Sequence, residues 1–399
     1  MPILIGKFDP LRAGEVLRTS LRLGLTAFGG PIAHLGHFER VYVRERRWLT
    51  GEQFGGLVAL CHLLPGPTSS QVGFLIGWQR GGVPGAIAAW VGFTLPSALA
   101  MYACAVLVTR IQGPVGLSVM QGFKLLAVAV VAQAVIVMAK RSCTARTEVS
   151  LAVAAAAVAL ALSGTVAQLA SIALGAVVGA LLCTPTTTMS IPEIPRSSPR
   201  VAWVALGLFA VLLAGLWLAA QRSPLGVAAL AEVFYRAGAL VFGGGHVVLP
   251  LLHDALVTSG GLSDADFIAG YGLAQVVPGP LFSVAAYFGA VSPHAPTPAI
   301  GALVALLAIF VPGLLLAAAG TTLWGLLTTH PRAAGALAGV NAVVVGLLAA
   351  ALVDPVWITA VRGVPDAAIA VAGLLMLHRW NLAPLAVLAW CVGASMAIR

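Results

Sequence analysis

The chain has 399 residues, of which 60% are hydrophobic and only 9% charged, with 22 Lys and Arg against 13 Asp and Glu for a formal charge of +9. Soluble domains carry roughly a quarter charged residues, so this composition and a mean hydropathy of +0.99 exclude an ordinary soluble protein. Nucleic acid is a poorer reason for the positive charge than membrane topology and surface contact, because most of the basic excess sits in short loops between apolar runs.

The expected fold class is an all-α polytopic membrane protein. Apolar runs of about 15 to 28 residues, the length that crosses a bilayer as helix, recur to the C-terminus, and strand-like alternation is absent. The opening MPILIGKFDPLRAGEVLR has too short an apolar core for a cleaved signal peptide. Helices are predicted near residues 14–28, 32–46, 52–64, 68–79, 84–110, 115–140, 149–163 and 165–182. A Pro/Ser-rich linker over 184–200 follows, then an extra apolar segment over 201–220. The remaining helices are predicted near 226–242, 246–258, 264–277, 281–291, 298–328, 332–353, 365–377 and 383–397. Several are too short to span alone, so they read as re-entrant hairpins or as broken crossings.

The breaks fall in register. Pro65–Gly66–Pro67 lies in a stretch with no charge between Glu52 and Arg80, and it returns 213 residues later as Pro278–Gly279–Pro280. Phe28–Gly29–Gly30 returns 214 residues later as Phe242–Gly243–Gly244. Gly85 and Pro96 find Gly301 and Pro312 at 216 residues, and Gly122 and Lys124 find Gly339 and Asn341 at 217. Such small drift over so long a span is an internal duplication: a first repeat over 1–183, a cytoplasmic linker over 184–200, an extra transmembrane helix over 201–220 and a second repeat over 221–399. The loop after the first Phe-Gly-Gly carries Arg40, Arg44, Arg46 and Arg47, whereas Gly245–Asp266 has no Lys or Arg. Basic short loops stay cytoplasmic, so the two halves are expected to form an inverted repeat.

Broken helices in lipid survive where they are buried in protein or line a polar cavity, and paired breaks point to a transporter's binding site. After the first Pro-Gly-Pro a half-helix begins with Thr68, Ser69, Ser70 and Gln71; after the second, Ser283 is available. Free amides and hydroxyls at a helix N-terminus suit an oxyanion. The plainer reading is a kink with hydroxyls bonding back to the helix, and the pairing in register favours the functional one. Glycines at 29, 30, 243 and 244 allow either close approach to a ligand or tight helix packing. Lys124 lies well inside a predicted helix, where a lipid-facing charge costs about 2.5–3.5 kcal/mol, so it is expected to face substrate; snorkelling is the alternative. Its repeat partner Asn341 keeps the polarity without the charge.

The expected substrate-binding set is therefore Gly29, Gly30, Pro65, Gly66, Pro67, Ser69, Ser70, Gln71, Lys124, Gly243, Gly244, Pro278, Gly279, Pro280, Ser283 and Asn341. His62, Glu39 and His246 are candidates for proton coupling, each with a structural role as the plainer reading. His34 and His37 read as surface or interfacial. The five scattered cysteines form no C-x-x-C pair, and neither a metal site nor a cofactor is suggested. No Walker motif and no nucleophile–base pair is visible.

With these residues in view the chain resembles a long, two-domain member of the chromate ion transporter family. Gly29–Gly30, Val43, Trp48 and Pro65–Gly66–Pro67, followed by Gly77 and Gly85, are similar in spacing to that family's signature. The second half's Val-Val-Pro-Gly-Pro-Leu-Phe-Ser and the segment from Gly339 to Gly346 also look like family segments. The resemblance implies a multi-pass carrier in the bacterial inner membrane that exports chromate, a tetrahedral dianion like sulfate, by chemiosmotic antiport and so confers chromate resistance. Its expected partners are chromate or sulfate, the lipid bilayer and a second copy in a homodimer. Transport of sulfate or another anion by uptake or exchange remains the alternative, and an intramembrane enzyme is the alternative of another class.

Overall fold

Proline and glycine punctuate the apolar chain, and side-chain caps start several of its helices. The computed structural model describes residues 10–28, 30–108, 114–162, 164–183, 198–224, 226–242, 245–257, 261–329 and 331–398. Helix α1 covers Pro10–Thr26, and α2 covers Gly30–Phe38 and passes into a π-helical turn over Glu39–Glu45. Helix α3 (Gly51–Leu63) starts at a capping box, in which Thr50 accepts from Gln53 N and Gln53 in turn accepts from Thr50 N. It ends at Leu64, which the following proline holds extended (φ −93°, ψ 147°). Helices α4 (Thr68–Val108), α5 (Pro114–Ser142), α6 (Arg146–Ala161) and α7 (Thr165–Leu182) complete the first half.

Helix α8 (Pro199–Arg222), capped by Ser198 with Pro199 at its first position, is the extra segment. Helix α9 covers Val227–Leu240, and a 3₁₀ turn over Gly245–Val247 leads into α10 (Val248–Leu256). Helix α11 (Asp264–Ala274) is capped by Ser263, and a 3₁₀ turn over Leu281–Ser283 precedes α12 (Val284–Val291). Then come α13 (Pro298–Thr329), α14 (Pro331–Ala351), a π-helical turn over Leu352–Trp357, α15 (Ile358–Ala360), α16 (Val364–His378) and α17 (Pro384–Ile398). No strand occurs among the described residues, and five helices are long and apolar enough to cross a bilayer. The protein is an all-α polytopic membrane protein.

The helices predicted at 68–79 and 84–110 both form, as the two limbs of α4 on either side of a break at Gly81 and Gly82, where Gly82 takes φ 65° and ψ −157°. One expectation needs refinement. The second Pro-Gly-Pro does not open directly into an α-helix; its first turn is 3₁₀, with Ser283 N donating to Pro280 O at 3.0 Å.

The chain folds into two compact units, each drawing on both halves of the sequence. One comprises Met1–Tyr102, Thr187–Gly245 and Val277–His330; the other comprises Ala103–Thr186, His246–Val276 and Pro331–Arg399. In the first, Phe38, Tyr42, Leu57, Leu60 and Val72 lie in a core that also takes Ala202 of α8 and Ala317 of α13. Helices α9 and α13 pack together, and α8 lies against both. Glycine sets the closest approaches: a Cβ on Gly24 would stand 2.7 Å from Phe93 O, and one on Gly238 would collide with Ile309 O. In the second unit α5 packs with α16 and α17, while α14 packs with α6 and α7. There Gly175 and Gly179 of α7 meet Gly335 and Gly339 of α14, two small-xxx-small faces in contact.

Candidate anion-binding site

The first unit holds both Pro-Gly-Pro breaks. Gly66 takes φ +120° and Gly279 φ +108°, a region that side-chain-bearing residues rarely enter. Gly66 N donates to Val241 O at 2.7 Å, beside the second half's Phe-Gly-Gly. Gly279 N donates to Ala27 O at 2.9 Å, beside the first. A Cβ on Gly66 would lie 2.8 Å from the Cα of Gly313, and one on Gly279 would lie 2.8 Å from Ser97 Oγ. Val241 is the repeat counterpart of Ala27, and Gly313 of Ser97. Each break is therefore docked on the other half's segments in the same way, a reciprocal exchange.

Polarity is concentrated at the first break. Thr68, Ser69, Ser70 and Gln71 form the first turn of α4, and all four are buried. Gln71 Nε2 donates to Pro65 O at 2.8 Å and to Gly313 O at 2.9 Å, tying the break to α13. Ser69 Oγ lies 3.4 Å from Nδ1 of His34, whose ring stands edge-on to Phe93. Ser70 Oγ and Gln71 Oε1 have no partner, and neither has Thr94 Oγ1 farther along α4. Each such buried polar atom costs about 1–3 kcal/mol unless something completes it. On the second break Ser283 is 2% exposed, and Ser97 Oγ, adjoining Gly279, donates to Thr94 O at 2.9 Å. Gly30 takes φ +77° at the start of α2; Gly29, Gly243 and Gly244 lie outside the described residues.

The other expected residues are placed elsewhere. Lys124 on α5 and Asn341 on α14 belong to the second unit, on helices that pack together; Lys124 is 6% exposed, and Asn341 Oδ1 is buried without a partner. His246 Nδ1 lies 2.6 Å from Tyr271 Oη in the same unit. His62 is exposed, with Nδ1 2.9 Å from Val58 O of the preceding turn, and Glu39 is ion-paired with Arg44 at 2.8 Å. No group of three or more His, Cys, Asp or Glu among the described residues could hold a metal.

His34 departs from the sequence reading. It is 1% exposed, not interfacial, because Phe93 and Ser69 enclose it. Thr94 and Ser97 were not singled out either. Their signal is two hydroxyls flanking Pro96 in an otherwise apolar run.

Comparison with known proteins adds a family. The chromate transporter family matches residues 14–183 and 228–396. The chain is 30% identical over 376 residues to a chromate transport protein of Pseudomonas aeruginosa, covering 93% of this chain and 88% of that one. It is 28% identical over 297 residues to a chromate transport protein of Cupriavidus metallidurans, covering 73% and 70%. A probable chromate transport protein of Synechococcus elongatus is 27% identical over 335 residues, covering 84% and 82%. No solved structure matches.

Proposed function

The chain belongs to the chromate transporter family, and on that premise we propose that it is a secondary carrier exporting chromate across the bacterial inner membrane. The observation that carries this reading is the first turn of α4: buried Ser69, Ser70 and Gln71 follow a glycine with φ +120°, with an unpartnered hydroxyl at Ser70. A helix N-terminus with free hydroxyls neutralises part of an anion's charge without burying several cations. The second break, with Ser283, and Gly29, Gly30, Gly243 and Gly244 complete the proposed substrate path. Lys124, buried on α5, supplies the one buried ammonium of the proposed set, and Asn341 its uncharged repeat partner.

The two halves are inverted in this reading. The reciprocal docking of Gly66 and Gly279 is what a two-fold relation between repeats produces, since residue i of one then meets residue j of the other and vice versa. The basic loop at Arg40–Arg47 and its counterpart lacking Lys and Arg favour an axis in the membrane plane. Transport is driven by the proton gradient or the potential, and His62, Glu39 or His246 would couple it.

Purified protein in liposomes, with the proton gradient and the potential imposed separately, tests the reading. Saturable chromate flux driven by either one is the expected result. Sulfate flux without chromate flux would transfer the chain to the sulfate-carrier alternative, and flux of neither would end the carrier reading.

A further inference from the structure

The two repeats treat one pair of positions differently. At the 214-residue offset that relates Phe28 to Phe242, Arg18 and Arg22 of α1 correspond to Glu232 and Arg236 of α9. In α9 the arginine is neutralised within the chain: Arg236 Nε donates to Glu232 Oε1 at 2.7 Å and Nη2 to Oε2 at 3.4 Å, and Glu232 is buried. In α1 an arginine stands where that carboxylate stands, and like charges four residues apart on a helix repel. Among the described residues neither the Arg18 nor the Arg22 guanidinium has a partner, and both residues are exposed. The one carboxylate of α1, Glu15, is already held by Arg80 at 2.9 Å and by Arg46 at 3.5 Å. The first repeat lacks the anion that the second builds in.

Helix α1 runs beside the second limb of α4: a Cβ on Gly81 would stand 3.2 Å from Ala13 N, one on Gly92 2.8 Å from Leu17 O, and one on Gly24 2.7 Å from Phe93 O. It therefore descends from the polar turn at Glu15, Arg80 and Trp48 toward Ala27, which receives the second Pro-Gly-Pro. Arg18 and Arg22 lie about 5 and 10 Å below Glu15 along the axis. Helical side chains lean back toward the N-terminus, here toward the membrane surface, so both guanidiniums reach headgroup depth. Beside them runs an exposed apolar stripe of Leu17, Leu21, Leu25 and Phe28. Val16, Ser20, Leu23 and Ala27 form the third face of the helix, buried against the protein.

A cationic edge at headgroup depth beside an apolar stripe fits a lipid better than a free ion. We propose that Arg18 and Arg22 hold the phosphate of one anionic phospholipid of the cytoplasmic leaflet, whose acyl chains lie along Leu17, Leu21, Leu25 and Phe28. The phosphate supplies to Arg22 what Glu232 supplies to Arg236, and it serves two guanidiniums at once, whose planar forks match phosphate oxygens. The lipid must carry net negative charge, because a zwitterionic headgroup brings its own ammonium to an already cationic edge. The leaflet follows from the basic loop Arg40–Arg47, which reaches Glu15 through Arg46. This site goes beyond the carrier reading and does not depend on which anion is carried.

Native mass spectrometry of the purified protein in neutral detergent, titrated with phosphatidylglycerol or with phosphatidylcholine, tests the proposal without a transport assay. One phosphatidylglycerol per chain should bind about tenfold or more tighter than phosphatidylcholine. The double variant Arg18→Gln/Arg22→Gln should lose that preference. Arg18→Glu should lose it too while staying folded, because it rebuilds in α1 the ion pair of α9, and it decides if the double variant does not fold. Arg40→Gln/Arg44→Gln removes the same charge from the basic loop and should keep the preference. Equal affinity for the two lipids in the wild type would overturn the proposal. So would a preference that survives in Arg18→Glu or is lost equally in the loop variant. Excess chromate or inorganic phosphate, at an ionic strength held constant with chloride, should leave the lipid bound; its displacement would make this a free-anion site and overturn the choice of a lipid. A dimer that comes apart in Arg18→Glu, with no lipid preference in the wild type, would give the face to a second copy and equally overturn it.

Discussion

Gly66 and Gly279 show why single residues matter in this chain. A side chain at either position meets a positive φ, costing roughly 1–2 kcal/mol, and then a neighbour at 2.8 Å. Gly66→Val and Gly279→Val are expected to lower chromate transport by about tenfold or more per correctly inserted molecule, as loss of 1.4 kcal/mol would. Gly363→Val is the control: its backbone is extended (φ −175°), its nearest neighbour is Pro365 Cδ at 3.7 Å, and transport should stay near wild type. Lys124→Met keeps bulk and removes charge. It should raise the KM for chromate about tenfold or more with expression intact, in line with a lost charged hydrogen bond; an unchanged KM would return Lys124 to a structural role. The breaks at both glycines and the burial of Lys124 were legible in the sequence, because Pro-Gly-Pro and a charge in an apolar helix are strong local signals. His34 was not, since burial by Phe93 and Ser69 depends on helices distant in sequence.

Helix α4 carries the chief prediction at the scale of the element. Some 40 residues of straight helix would reach about 60 Å, twice the hydrocarbon core. The break at Gly81–Gly82 folds it instead, and Gly77 packs against the carbonyl of Gly85. Arg80 at the turn bonds Glu15 of α1 at 2.9 Å and lies over Trp48. The second half repeats the device with Gly289 against Gly301. Gly82→Ala should cost about 1–3 kcal/mol, read as a lower melting temperature in detergent, because φ 65° with ψ −157° is open essentially to glycine alone. If the halves are inverted, these two turns lie on opposite faces of the membrane. Single cysteines at Val83 and Pro296, in a background with the five native cysteines replaced, should then react with impermeant reagents from opposite sides. Reaction of both from the same side would contradict inversion. The helices themselves were readable from apolar runs and breakers; the π-helical turns at Glu39–Glu45 and Leu352–Trp357 and the 3₁₀ start at Leu281 were not, because they depend on local backbone geometry that composition does not encode.

For the whole molecule, the duplication was visible in the constant spacing of its motifs, but the segments on which each break docks were not. Both compact units mix the two halves, so that Gly66 docks beside Val241 and Gly313 while Gly279 docks beside Ala27 and Ser97. An offset in sequence says that two segments are equivalent; it does not say that each leans on the other's partner. The central claim is that this exchange builds an oxyanion site at the first turn of α4. Its most direct test is anomalous scattering from chromium in crystals grown with chromate. The account predicts a chromium peak within reach of Ser69, Ser70 and Gln71, lost in the Gly66→Val variant; chromium bound only at sites remote from that turn would contradict it.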